Sequence, residues 1–203
     1  MPAADDVRAR HVDAVLLIEL DNSTGFPRLT HAVLQELHRL LGAEAATPAV
    51  RAVVIVGTEQ CFAAGADLAE VAALEPLEAL RFSFLGQSLM AKIERYPKPI
   101  VAAIRGYCLG GGFDLALACH VRVASTDAVF GHPAAGLGII TGWGGTQRLS
   151  RIIGTARARE ILTTGRTITA REAYAWRLVS RVVEPEQVVA AATEFSRACA
   201  ART

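Results

Sequence analysis

Two short apolar runs, residues 53–56 (VVIV) and 100–104 (IVAAI), each lead into a turn rich in small residues. Runs of this length with no polar alternation read as strands buried on both faces, which implies a parallel sheet covered by helices. The first turn is Cys61-Phe62-Ala63-Ala64-Gly65-Ala66-Asp67 and the second Gly106-Tyr107-Cys108-Leu109-Gly110-Gly111-Gly112. Each sits where a strand feeds a helix, and sheets of this kind bind ligands beyond the carboxyl ends of their strands. Small residues let a ligand approach the main chain, and the first N–H groups of a helix are unpaired and lie at the positive end of its dipole. One such amide from each turn, converging on one oxygen, would stabilise negative charge developing there.

The rest of the chain alternates strands and helices, which predicts an α/β fold around one core. Residues 13–20 (DAVLLIEL) read as an opening strand. Leu29, Val33, Leu37, Leu40 and Leu41 repeat at helical spacing, with Thr30 as N-cap and Gly42 as the expected stop. Pro76 opens a second helix, which Pro97 and Pro99 end. A helix over 115–119 and a strand over 121–124 follow. Beyond them the sequence predicts helices over 145–153 and 155–163, and a capping box of Thr169 and Glu172 before a helix over 170–177. A strand over 179–183 and a last helix from Pro185 complete the pattern.

Composition narrows the function classes. Basic residues number 21 and acidic residues 20, with no basic block, so nothing argues for a nucleic-acid partner. No apolar run approaches the roughly 20 residues that span a bilayer, and no secretory h-region opens the chain. The four cysteines, Cys61, Cys108, Cys119 and Cys199, are widely spaced and form no CxxC. A cytoplasmic protein with reduced, buried thiols and no metal is expected. The glycine turns lack the Gly-Lys-Ser/Thr ending of a nucleotide-phosphate loop, and Gly136-x-Gly138-x-x-Thr141 misses the dinucleotide fingerprint. No Gly-x-Ser-x-Gly is present, which argues against a serine hydrolase.

Four blocks together are more specific. Residues 62–68 (FAAGADL), 98–112 (KPIVAAIRGYCLGGG), 130–133 (FGHP) and 144–149 (GGTQRL) resemble, in order and spacing, the crotonase (enoyl-CoA hydratase/isomerase) superfamily. The resemblance runs from about residue 12 to 189, within a single domain taken as residues 1–203. It implies a ClpP-like spiral of ββα units, an acyl-CoA thioester as partner, no cofactor beyond the CoA of the substrate, and assembly as a trimer or hexamer. Carried over residue by residue, the oxyanion hole falls on the amides of Ala66 and Gly111. One preorganised donor of this kind is worth roughly 3–4 kcal/mol. Ala64, Gly65, Asp67, Leu68, Gly110, Ala134 and Trp143 are the implied substrate-binding positions. Asp67 is expected to organise its turn through its carboxylate, Trp143 to wall the acyl pocket, and Arg148 to be structural.

The sequence departs from the hydratase pattern in several places. The first family glutamate, just past the glycines, is here Asp114, one methylene shorter. The second, after the Phe-Gly-x-Pro proline, is Ala134, which carries no proton. Adding water to a double bond normally needs a base and an acid. Asp114 is therefore the single expected acid/base, and double-bond isomerisation survives the loss better than hydration does. A competing reading has Asp114 only capping a helix that begins near Gly112. His132 precedes Ala134 by two residues and shares its face if the segment is extended. It can titrate near neutrality, although packing is the commoner role for such a residue. Ala69 stands where relatives often carry a lysine or arginine for the CoA 3′-phosphate. Residues 21–30 (DNSTGFPRLT) depart from the usual substrate-side segment, and the stretch after Pro185 suggests a shortened carboxyl-terminal helical region. The alternative to an enzyme is a catalytically weak acyl-CoA-binding or assembly protein on the same scaffold.

Overall fold

A computed structural model describes residues 6–200. Its framework is two sheets between which the chain alternates. The six-stranded sheet has the order β1-β2-β3-β5-β7-β10. Its strands are β1 (Val7–Val12), β2 (Val15–Leu20), β3 (Ala52–Val56), β5 (Ile100–Ile104), β7 (Val121–Ser125) and β10 (Arg181–Val183). Only β1 runs antiparallel to its neighbour. The second sheet has the order β4-β6-β8-β9, from β4 (Cys61–Ala63), β6 (Tyr107–Leu109), β8 (Val129–Gly131) and β9 (Ile168–Thr169). Three times in succession, a long buried strand of the first sheet passes through a short loop into a three-residue strand of the second and then toward a helix. That repetition is the expected ββα spiral.

The switch between sheets is tight. Gly106 joins β5 to β6 at φ +55°, and a Cβ there would lie 1.9 Å from the Gln60 carbonyl oxygen, so only glycine lets the two loops cross. The β3 and β5 strands are wholly buried, as their composition predicts. Helices α1 (His31–Glu44), α2 (Leu68–Ala72), α3 (Pro76–Glu94), α4 (Gly111–Ala118), α5 (Gly145–Ile153), α6 (Thr155–Thr164), α7 (Ala170–Ala175) and α8 (Val188–Ala200) cover the sheets. The main apolar core, including Leu34, Leu89, Phe113 and Phe130, lies between the sheets and α1, α3 and α4. A smaller cluster packs Val188 and Ala192 of α8 onto the opposite face of the first sheet.

Several boundaries differ from the sequence reading. Strand β1 begins at Val7, ahead of the expected start of the core, and pairs in register with β2 from Val7 against Leu20 to Val12 against Val15. Thr30 caps α1 through the Val33 amide, but Gly42 does not end it; the helix continues to Glu44. Helix α4 starts four residues earlier than the apolar pattern places it, and α7 ends at Ala175. Pro185 opens a 3₁₀ turn, Pro185–Gln187, and α8 follows from Val188. Among the described residues, no helix is long and apolar enough to cross a membrane.

Candidate active site

The two turns meet. A Cβ at Gly65, where φ is +101°, would stand 2.9 Å from the Gly111 amide nitrogen and 3.1 Å from the Leu109 carbonyl oxygen. A Cβ at Gly112 would stand 2.2 Å from the Ala63 carbonyl oxygen. The missing side chains let the start of α4 lie directly on the first turn. Gly110 precedes α4 at φ +52° and donates its amide to Gly131 of β8, at 2.9 Å, which ties the second turn to the third strand pair. Gly111 is the first residue of α4, where an amide has no acceptor within its own helix. Among the described residues, neither the Ala66 nor the Gly111 amide donates to another main-chain carbonyl outside regular helix and strand pairing.

A cleft of about 390 Å³ opens over this junction. Of the positions expected from sequence, Ala64, Gly65, Ala66, Leu68, Gly110, Gly111, Asp114, Ala134 and Trp143 line it. Asp67 does not. Its carboxylate turns back to accept from the amides of Ala69 and Glu70, capping α2, and pairs with Arg28 at 2.8 Å. The Arg28 hydrogen bond, with those of the two amides, holds the Asp67 carboxyl below the usual carboxylate range. Asp67 thus organises the turn, as expected, but is not part of the cleft wall.

Asp114 is 1 % exposed, and it is not a helix cap. Its Oδ2 accepts from the Thr141 hydroxyl and from the Trp143 amide, the latter at 3.3 Å, so its partners come from the loop before α5. Burial dominates its titration and raises it to about 6, against the opposing effects of Thr141, the Trp143 amide and Arg148. His132 Nε2 stands 3.6 Å from Asp114 Oδ1. Burial depresses the imidazole to about 4, so at neutral pH this is a neutral ring beside a carboxylate, not an ion pair. Segment 132–134 is not extended: His132 has ψ 71° and Pro133–Leu137 forms a 3₁₀ turn. His132 and Ala134 nevertheless both reach the cleft.

Sequence reasoning missed two of the glycines that make room for these groups, Gly86 and Gly145. Trp143 is wedged between α3 and α4, with hypothetical Cβ atoms at Gly86 and Gly111 lying 2.2 Å and 2.3 Å from its ring. Phe82 meets the ring edge-on at 5.5 Å. A Cβ at Gly145 would lie 2.0 Å from Asp114 Oδ1, 2.9 Å from Thr141 Oγ1 and 3.0 Å from His132 Nε2. Gly86 did leave a trace in the sequence, since glycine inside a 19-residue helix signals close approach. Arg148 donates to the Trp143 carbonyl at 2.9 Å and pairs with Glu94 at 2.8 Å, which pins the loop to α3 and supports its structural role. Exposed Leu68, Leu137 and Ile140 make the wider cleft apolar.

Residues 10–202 match the Enoyl-CoA hydratase/isomerase family. The chain belongs to that family. It is 37% identical over 183 residues to a short-chain-enoyl-CoA hydratase of Clostridium acetobutylicum, covering 90% of this chain and 70% of the relative. It is 45% identical over 143 residues to a crotonyl-CoA hydratase of Syntrophomonas wolfei, covering 70% of this chain and 55% of the relative. The crystal structure of an enoyl-CoA hydratase from Bacillus anthracis superposes with a TM-score of 0.92 at 36% identity, over 96% of this chain and 76% of that one. The two curated relatives thus extend beyond the length that the match spans. The likeness in fold is that of the crotonase superfamily, with its mixed α/β spiral.

Proposed function

We propose that this member of the enoyl-CoA hydratase/isomerase family is an enzyme acting on acyl-CoA thioesters through an enolate. In this reading the Ala66 and Gly111 amides take the thioester carbonyl oxygen as charge develops on it, and Asp114 moves the proton. The observation that carries the reading is the shared cleft. Both turns and the buried carboxylate line it, and the turns touch at Gly65 and Gly111. Its volume of about 390 Å³ lies within the range of small-molecule sites. The apolar walls suit an acyl chain. A carboxyl that titrates near 6 is ionised enough at neutral pH to take a proton and, once protonated, acid enough to return it. CoA enters as part of the substrate. A homotrimer or hexamer in the cytoplasm belongs to the same reading.

Isomerisation of a 3-enoyl thioester uses one proton carrier: Asp114 removes the α-proton, the electrons collect on the thioester oxygen, and the proton returns at the γ-carbon. Ala134 supplies no second carboxylate, and this observation also favours the second reading, a catalytically weak acyl-CoA binder. Purified protein with crotonyl-CoA and with its 3-enoyl isomer separates the two. Turnover that falls by about 10²-fold or more in Asp114→Asn, with binding retained, is the expected result. Binding of both esters without turnover would establish the binder.

A further inference from the structure

Asp114 does not stand alone in the cleft. Asp114 Oδ1 and both ring nitrogens of His132 are buried and have no hydrogen-bond partner among the described residues. His132 is 4 % exposed, lines the cleft, and packs its ring against Phe113 at 5.0 Å. Unsatisfied buried polar groups cost stability, so three of them gathered at one point of a cleft mark a place built for something other than packing. We propose that His132 is the second proton-transfer group of this site, exchanging a proton between its Nε2 and Asp114 Oδ1, and that the pair replaces the two-carboxylate chemistry removed at Ala134. This rests on the acyl-CoA reading above and extends it from isomerisation to hydration.

The geometry suits the exchange. At 3.6 Å the Nε2 to Oδ1 separation is a few tenths of an ångström beyond a hydrogen bond, a gap that proton-transfer sites commonly close when substrate binds. Gly145 leaves the two atoms free to approach, because any Cβ there would occupy their meeting point. The neutral imidazole can donate to the ionised carboxylate, or accept from the protonated one after changing tautomer. Its depressed basicity makes the imidazolium a strong acid, suited to delivering a proton to carbon.

Hydration of a 2-enoyl thioester then balances. Asp114 takes a proton from water as the water oxygen bonds to the β-carbon, and the π electrons move to the thioester oxygen. The proton passes from Asp114 Oδ1 to His132 Nε2. The imidazolium gives a proton to the α-carbon as the enolate pair returns, and H and OH have been added with no net change in the protein. Few other titratable or charged groups face the pair. Arg148 of α5 acts on Asp114 and is itself tied to Glu94 of α3. The Cys108 thiol of β6 is kept protonated by burial.

The test is His132→Gln, which retains hydrogen-bonding capacity but cannot carry a proton. The kcat for crotonyl-CoA hydration should fall by about 10²-fold or more, with KM within roughly threefold of wild type. Isomerisation of the 3-enoyl ester should fall far less. In parallel, NMR of ¹⁵N-histidine-labelled protein should show a His132 ring resonance that moves with the titration of Asp114 and stops moving in Asp114→Asn. This arm decides the matter alone if His132→Gln does not fold. Wild-type hydration in His132→Gln, with Asp114→Asn inactive, overturns the proposal and leaves the acyl-CoA reading intact; so does a His132 resonance indifferent to Asp114→Asn. Wild-type protein that turns over neither ester overturns both.

Discussion

The buried pair predicts an unusual dependence of stability on pH. Asp114 titrates at about 6 in the fold, above its ordinary 3.8. Its contribution is therefore fully present below pH 3.8 and is lost as pH rises through 6, because between those values the folded chain holds a proton the unfolded chain has released. His132 titrates at about 4 in the fold, below its ordinary 6.5. Its contribution is fully present above pH 6.5 and is lost as pH falls through 4. Each displacement corresponds to about 3 kcal/mol, and both side chains are too buried for solvent to discount it much. In the wild type the two slopes oppose each other between pH 4 and 6 and nearly cancel. Single substitutions separate them. Asp114→Asn should gain about 3 kcal/mol relative to wild type as pH rises from 4 to 7, and His132→Gln should lose a similar amount. For a chain of this length that amounts to roughly 6–12 °C in Tm in opposite directions. Urea unfolding followed by tryptophan fluorescence, at fixed protein concentration and half-unit pH steps, measures both. Other titrating groups are common to the three proteins and drop out of the differences. Parallel curves for wild type and both variants would refute the argument, since they would mean that neither group carries a burial penalty.

Three further outcomes probe the surroundings of the pair. Gly145→Ala forces Asp114 Oδ1 away from a Cβ placed 2.0 Å from it, and should lower kcat/KM by about 10²-fold through misplacement of the carboxylate; Gly136→Ala, which meets nothing within 4 Å, is the control for both activity and melting. Arg148→Gln removes a positive charge that holds Asp114 down, so the acid limb of the pH–rate profile should move to higher pH, with Tm lowered by loss of the Trp143 carbonyl contact. Ala134→Glu restores a carboxylate to the cleft wall and should raise the rate of crotonyl-CoA hydration about tenfold or more, read in the same spectrophotometric assay.

What the sequence disclosed depended on the range of the physics involved. Strands β3 and β5 are legible because burial on both faces leaves an unbroken apolar run, and the Thr30 and Thr169 caps because capping is local. Strand β1 is not, because it is an edge strand whose middle residues are exposed; pairing with β2 defines it, helped by the Arg10–Glu19 ion pair across the ladder. The short strands β4, β6 and β8 are stretches of three residues that exist only because each lies against the next. Gly42 failed as a helix stop for a tertiary reason: a Cβ there would meet Lys92 Nζ at 3.1 Å, so it marks the approach of α3 rather than the end of α1. Asp67 organises its turn as expected, but its carboxylate faces away from the cleft because it pairs with Arg28, 39 residues away in the chain.

The same distinction explains why the approach of His132 to Asp114 is not legible in the sequence. Nothing local to residues 130–134 points the ring at Asp114. The contact arises because Gly110 is bonded to Gly131, which sets β8 beside the turn that starts α4, and because Gly145 brings α5 up to the pair without a side chain of its own. The three-dimensional pattern is one of omission: side chains are absent at 65, 86, 111 and 145, and the space they leave is taken by the main chain of the second turn at the first, by the Trp143 indole at the next two, and edged by Asp114 and His132 at the last. With Ala134 carrying no proton and Asp67 facing away, the titratable side chains that line the cleft, among the described residues, are those of Asp114 and His132. In the proposed reaction the outcome then turns on whether the proton taken up by Asp114 returns to the substrate from the same carboxylate or from the ring beside it.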